Sequence, residues 1–232
     1  MLRVAHMGGL TSCLSVIIHE VVQYRHEHGA YPATLDASGS FTTCRDNSRQ
    51  DLSAILLQPA TQYLGDAITF DHGHQYASYR QLPLKNLQEL ARHYAWPSQR
   101  VGDNAFNIRQ AIAGRTAVIY RGNDKVTERP RTPYSDVFTA ARMAGGPYVV
   151  LTDELDFYEA FADTFGDTIA MAGATMIRRN DAKVVTGDSR FAVTFLASLY
   201  AASQAPKLVT TTGNTGLWPA IWRGHAHNIF QV

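Results

Sequence analysis

From residue 116 onward the hydrophobic positions fall into two alternating patterns. Residues 116–120 (TAVIY), 147–151 (PYVVL) and 206–210 (PKLVT) are short apolar runs rich in β-branched or aromatic side chains, each ended by polar or Gly-containing sequence. Such runs predict buried strands, and 168–171 is a further one. Between and after them, residues 134–144, 155–165, 189–203 and 215–222 space their apolar side chains as helices do. Asp188 or Ser189 caps the third of these helices. Strands alternating with helices of this length predict right-handed crossovers and a parallel sheet.

The first hundred residues are less regular. Residues 2–6 read as a short strand, Met7-Gly8-Gly9-Leu10 as a turn, and Thr11 or Ser12 as the N-cap of a strongly apolar helix that ends near Tyr24. A second strand is expected at 33–37 and a polar loop from 38 to 53. Residues 51–57 fit a short helix or a strand equally. Ala67-Ile68-Thr69-Phe70 reads as a strand that delivers Asp71-His72-Gly73-His74 to its end. Leu84, Leu87, Leu90 and Ala91 recur at helical spacing over 83–94. Trp96-Pro97-Ser98 breaks that helix, and a second amphipathic helix runs to about Ala113. The boundary placed near residue 97 gives two Rossmann-like domains, 1–96 and 97–232.

With 45% apolar residues, the 232-residue chain can build a full core. A formal charge of +1 offers no electrostatic basis for binding nucleic acid or an anionic membrane. Cys13 and Cys44 are the only cysteines, which argues against a disulfide scaffold and fits a reducing cytoplasm. Neither a signal peptide nor a run of about 18 apolar residues is evident, so no membrane span is expected.

Candidate chemistry gathers at strand ends. Arg121, Asp124, Lys125 and Glu128 follow strand 116–120 within eight positions. Arg121 can grip phosphate oxygens with its planar fork, Lys125 adds a compact charge, and Asp124 could orient either. A surface salt-bridge cluster would use the same residue types. Gly8 and Gly9 let the backbone approach a ligand ahead of a helix N-terminus, though a tight turn would look the same. Asp71, His72 and His74 are too short a set for a zinc site, so no metal is expected there. Asp153, at the end of 147–151, suits nucleobase or ribose donors, or alternatively a helix N-cap.

Arg-Gly-Asn-Asp-Lys-Val-Thr-Glu (121–128) resembles the donor-binding motif of the α1,6-fucosyltransferase group, which includes the nodulation fucosyltransferases and the related O-fucosyltransferases. Ile119 stands where that pattern has His, and the spacing to Glu128 is one residue shorter than in the vertebrate form. Val150-Leu151-Thr152-Asp153 resembles the strand whose aspartate lies in the nucleotide pocket. Ala202-Ser203-Gln204-Ala205 resembles the segment before the last strand, with Ser198 in place of an aspartate. Thr210-Thr211-Thr212-Gly213-Asn214-Thr215-Gly216 resembles the turn that holds the diphosphate, and Gly8-Gly9 the Gly-rich loop facing the cleft. Ala226-His227-Asn228 matches a C-terminal Ala-His-Asn to which no chemical role attaches. Residues 97–101 are similar to the helix that enters the C-terminal domain.

The resemblance implies an α/β, GT-B-like fold, with two small Rossmann-like domains whose parallel sheets face each other across a cleft. It implies a glycosyltransferase that moves a sugar, fucose from GDP-fucose, to a glycan acceptor hydroxyl with inversion and without a metal or other cofactor. The partners expected are the nucleotide sugar and the glycan. Arg121, Lys125 and Glu128 are the catalytic candidates, with Glu128 as base and Asp71 or His72 as acceptor-side fallback. Arg121, Asp124, Lys125, Asp153, Ser198, Thr212, Gly213, Asn214 and Thr215 are the donor-binding candidates. Arg121, at a strand end outside the core, is expected to be replaceable without loss of fold. A non-catalytic glycan- or nucleotide-binding protein on the same scaffold, or a transferase using another nucleotide sugar, are the alternatives. A dinucleotide oxidoreductase would want G-x-G-x-x-G after the first strand, which Met7-Gly8-Gly9-Leu10-Thr11 does not supply.

Overall fold

The computed structural model describes residues 1–44, 51–122, 130–178 and 188–232. Asp124, Lys125 and Glu128 lie outside the described residues.

The architecture is α/β with two parallel sheets. Strands β1 (Leu2–Arg3) and β2 (Leu35–Asp36) form a two-stranded sheet in the first half. The second half carries five strands: β3 (Thr116–Tyr120), β4 (Tyr148–Thr152), β5 (Thr168–Ala170), β6 (Leu208–Thr210) and β7 (Ile229–Gln231). They pair in parallel in the order β5-β4-β3-β6-β7. The chain builds outward from β3 in one direction, then crosses back to β6 and continues in the other.

The alternation of side chains along a strand sorts the central residues between two layers. Ala117, Ile119, Val149 and Leu151 face a cluster that contains Leu14, Leu87, Leu196 and Trp218. Val118, Tyr120 and Val150 face the other, where Val137, Phe157 and Phe161 come from α5 (Tyr134–Ala144) and α6 (Leu155–Phe165). The first cluster runs from Val4 to Ile229, so helices from both halves share one buried core. There α1 (Leu10–His28) and α3 (Leu84–Tyr94) pack on α8 (Asn214–Arg223), and α4 (Gln99–Ala111) on α7 (Ser189–Ser203).

Several local expectations change. Residues 67–70 form no strand. Ile68 and Phe70 are buried, but the Ile68 N–H donates to the Tyr31 hydroxyl at 3.0 Å, and that hydroxyl donates to Asp66 O at 3.2 Å. A side chain thus meets backbone needs that a ladder would otherwise have met. Helix α1 starts at Leu10 with Gly9 as N-cap, ahead of Thr11 and Ser12, and runs to His28 before Gly29 closes it at φ 74°. The open choice at 51–57 resolves to α2 (Leu52–Leu56), with Asp51 accepting from Ser53 N–H at 2.9 Å. Asp188 caps α7 through Phe191 N–H. Strand β7 was not anticipated. It follows Asn228, whose φ of 59° is a left-handed turn conformation that Asn tolerates better than most residues. Among the described residues no helix is long and apolar enough to cross a membrane.

Candidate functional site

Strand order reverses between β3 and β6, and in open α/β sheets a crevice forms beyond the carboxyl ends at such a reversal. Arg121 follows β3, Asp153 follows β4, and the Thr211–Asn214 turn follows β6. A cavity of about 550 Å³ opens there, and Gly8, Gly9, Arg121, Asp153, Asn214 and Thr215 are among its lining residues.

Arg121 Nε donates to Asp153 Oδ2 at 2.9 Å, and Gly122 N–H donates to Asp153 Oδ1 at 2.9 Å. The guanidinium is therefore anchored at one edge by a carboxylate that is itself largely buried (12% exposed). Arg131 Nε donates to Gly122 O at 2.8 Å, which holds Gly122 from its carbonyl side as well. Asp153 is not a helix cap. Glu154 occupies the N-cap position of α6 without a side-chain capping bond, and its carboxylate instead accepts from the Tyr134 hydroxyl at 2.7 Å.

The opposite wall is the Gly8-Gly9 loop. The His6 imidazole lies so close over Gly8 that a Cβ there would collide with it. Thr43 Oγ1 and Cys13 Sγ reach Gly8 O from below, at 3.4 and 3.5 Å. Both helices that open onto the cavity, α1 and α8, have glycine N-caps, Gly9 and Gly213, and neither first turn carries a side-chain cap bond or an acidic residue. Their N-terminal ends meet: Thr11 Oγ1 is 3.4 Å from Thr215 Oγ1, and Ser15 Oγ, one turn further into α1, donates to Asn214 Oδ1 at 2.7 Å. The Trp218 indole N–H donates to Ser15 Oγ at 3.0 Å, which locks the pair from the core. Two positive helix ends and one guanidinium thus border one space. That combination favours an anion carrying several charges.

Gly213 (φ 123°) and Thr212 do not line the cavity. Their N–H groups donate to Gln75 O (2.7 Å) and Val232 O (3.1 Å), which fixes where α8 begins.

Ser198 is also off the cavity and has no exposed surface. Its hydroxyl bonds Ala172 O and Thr194 O, clamping the 171–174 turn to α7. Gly173 (φ 77°) sits against the Phe195 backbone, where a Cβ would be 3.1 Å from Phe195 N. Residues 173–175 with Phe191 and Phe195 line that end of the cavity, and no sequence motif drew attention to them.

Neither Asp71 nor His72 lines the cavity. Asp71 caps a 3₁₀ turn (His72–Tyr76) in a reciprocal box with His74. The hydrogen bond from His74 holds its carboxyl below the usual carboxylate range. The His72 ring lies against that of His19 at a tilt of 37°, ring centroids 4.4 Å apart. Among the described residues no group of three or more His, Cys, Asp or Glu is placed to hold a metal. His6, which sequence reasoning passed over, does line the cavity. The available signal was positional: His6 stands three residues after β1, ahead of the glycine loop.

No protein-family model matches the chain, and no curated protein matches it in sequence. Solved structures do match in fold. The crystal structure of NodZ α-1,6-fucosyltransferase co-crystallised with GDP aligns with a TM-score of 0.54 at 12% identity, over 98% of this chain and 91% of that one. The same enzyme soaked with GDP-fucose gives the same values. Fucosyltransferase NodZ from Bradyrhizobium aligns with a TM-score of 0.54 at 12% identity, over 98% of this chain and 92% of that one. The chain therefore has a GT-B-like fold similar to these transferases.

Proposed function

We propose that the protein is a glycosyltransferase that takes fucose from GDP-fucose and transfers it to a hydroxyl of a glycan acceptor. The observation that carries this is the meeting of Arg121 with the ends of α1 and α8 around one cavity at the strand reversal. A nucleoside diphosphate sugar brings two phosphates, and two helix ends plus a guanidinium match them. The choice of GDP-fucose rests on the 121–128 motif and on the GDP and GDP-fucose bound by NodZ, whose fold this chain shares.

In this reading the leaving diphosphate gathers charge as the glycosidic bond breaks. Arg121, together with Lys125 of the motif, offsets that charge in place of a divalent ion. Removing one such donor typically costs on the order of 100- to 1,000-fold in rate. By the resemblance of the 121–128 motif, transfer inverts the anomeric centre without a metal, and no Asp-x-Asp pair follows a strand in this sequence. The Phe191 ring and the 173–175 backbone supply the apolar end of the cavity for the base.

Calorimetric titration with GDP, UDP, dTDP and CMP tests the proposal on wild type and Arg121→Ala. Selective binding of GDP that Arg121→Ala abolishes supports it. Preference for another nucleotide moves the donor to a different sugar nucleotide, and absence of binding by all four sinks the transferase reading.

A further inference from the structure

We propose that His6 is the general base that takes the proton from the acceptor hydroxyl, an inference that rests on the transferase reading. Four described residues that line the cavity carry titratable side chains: His6, Cys44, Arg121 and Asp153. Arg121 has no acceptor atom. Both oxygens of Asp153 already hold Arg121 and Gly122, and Cys44 is a buried thiol. Among the described residues, that leaves the imidazole.

His6 Nε2 lies 2.9 Å from Ser12 Oγ, in the first turn of α1 and on the same cavity wall. With the proton on Nδ1, Nε2 accepts from the Ser12 hydroxyl, so its lone pair is directed toward a donor that lines the cavity. The ring cannot swing toward the loop, because it rests on Gly8 at the place a Cβ would occupy. Partial burial, and then the nearby His72, hold its pKa below the usual histidine value, which keeps the imidazole neutral at pH 7. The alternatives on this wall fare worse. Asp71 is engaged in its own capping box, and Asp71 and His72 both stay off the cavity.

The step balances as follows. An acceptor hydroxyl displaces Ser12 at Nε2. Its oxygen attacks the anomeric carbon, its O–H bond breaks, and the proton passes to Nε2. The bond from the anomeric carbon to the phosphate oxygen breaks, and its electron pair leaves on the nucleoside diphosphate. The imidazolium formed is then offset by the charge of that leaving group.

The test uses GDP-fucose with water as acceptor, following GDP release by the full chain alongside calorimetric GDP binding. His6→Gln is expected to slow release by roughly 100- to 10,000-fold, with GDP affinity kept within about threefold. The wild-type rate should fall as pH drops below the histidine range, and that acid limb should be missing in His6→Gln. Among the described residues, the other charged or titratable groups around His6 are His72 with His19 behind it, Cys13, whose thiol donates to His6 O at 3.5 Å, Cys44, and Arg121 with Asp153 across the cavity.

Release by His6→Gln at the wild-type rate overturns the assignment. So does an acid limb that vanishes in Glu128→Gln and persists in His6→Gln. Loss of GDP binding by both His6→Gln and His6→Asn gives His6 a structural role and also overturns it. A wild type that binds GDP but releases none from GDP-fucose counts against the assignment as well. A wild type that binds no GDP fails earlier, at the transferase reading, and is told apart by the titration alone.

Discussion

The guanidinium of Arg121 and the carboxylate of Asp153 meet at 2.9 Å across the ends of two neighbouring strands. Asp153 Oδ1 also takes the Gly122 N–H, so a single side chain ties down the two residues with which the 121–128 motif begins. Arg121 is consequently both a wall of the cavity and part of the fold's own wiring. Its replacement should spare the fold but at a cost in stability, because Arg121→Ala withdraws the cation from a largely buried carboxylate.

Arg121→Ala should lower stability by about 1–2 kcal/mol, toward the low end because a quarter of the Arg121 side chain is exposed. Asp153→Ala should cost more, about 2–3 kcal/mol, since it also strips the Gly122 N–H of its acceptor. In urea unfolding the double variant should show a coupling of about 1 kcal/mol or more. Simple additivity would mean that the ion pair contributes nothing.

Ser15→Ala should destabilise by roughly 1–3 kcal/mol, although it removes only a hydroxyl. It leaves the buried Trp218 indole N–H without its acceptor and cuts the bond from α1 to Asn214. Trp218 has no exposed surface, so its fluorescence reports the change directly. An unfolding midpoint equal to wild type would show that the α1–α8 bridge carries no weight.

Gly216→Ala should cost about 1–3 kcal/mol and weaken nucleotide binding. A Cβ at Gly216 would run into Thr210 Oγ1 and Thr211 O and come within 3.0 Å of the Tyr79 hydroxyl oxygen. Helix α8 must then lift off β6, and its first turn would move with it. Calorimetry with GDP and a thermal melt measure the two effects together; a stable variant with unaltered affinity would refute the crowding argument.

Ser198→Asp, which restores the residue type expected from the resemblance, should not improve nucleotide selectivity. The position is fully buried against Ala172 O and Thr194 O, so a carboxylate would face two acceptors. A loss of roughly 3 kcal/mol or more is expected. A folded Ser198→Asp protein with sharper preference for GDP would place this residue at the base after all.

The Cys13 thiol should resist alkylation in the native protein. Burial pushes its pKa up to about 11, outweighing the Phe41 N–H donated to its sulfur at 3.3 Å. At pH 8 only about one thiol in a thousand is then ionised. Mass spectrometry after iodoacetamide should find Cys13 modified only once the chain is unfolded. Rapid native-state labelling there would contradict the packing beneath the glycine loop.

The sequence by itself determined the regular half of this protein. Strand runs such as TAVIY are continuous because both faces of β3 are covered, and helices at 134–144, 155–165 and 189–203 announce themselves by period, the last also by its Asp188 cap. It also placed Arg121 and the Asn214-Thr215 turn at strand ends. Strand order could not be read, since the return from β5 to β6 across β3 is a choice among pairings that local pattern does not encode. That reversal is what puts the Arg121, Asp153 and Asn214 positions on one cavity. The first half was harder for a related reason. Among the described residues its sheet has two strands, and Ile68 finds its hydrogen bond in a tyrosine 37 positions away, so neither periodicity nor turn chemistry marks it. His6 belongs to the same class. Nothing in Val4-Ala5-His6-Met7 distinguishes it from a surface histidine; only the fold brings it over Gly8, beside Ser12, onto the wall of the cavity that Arg121 also lines.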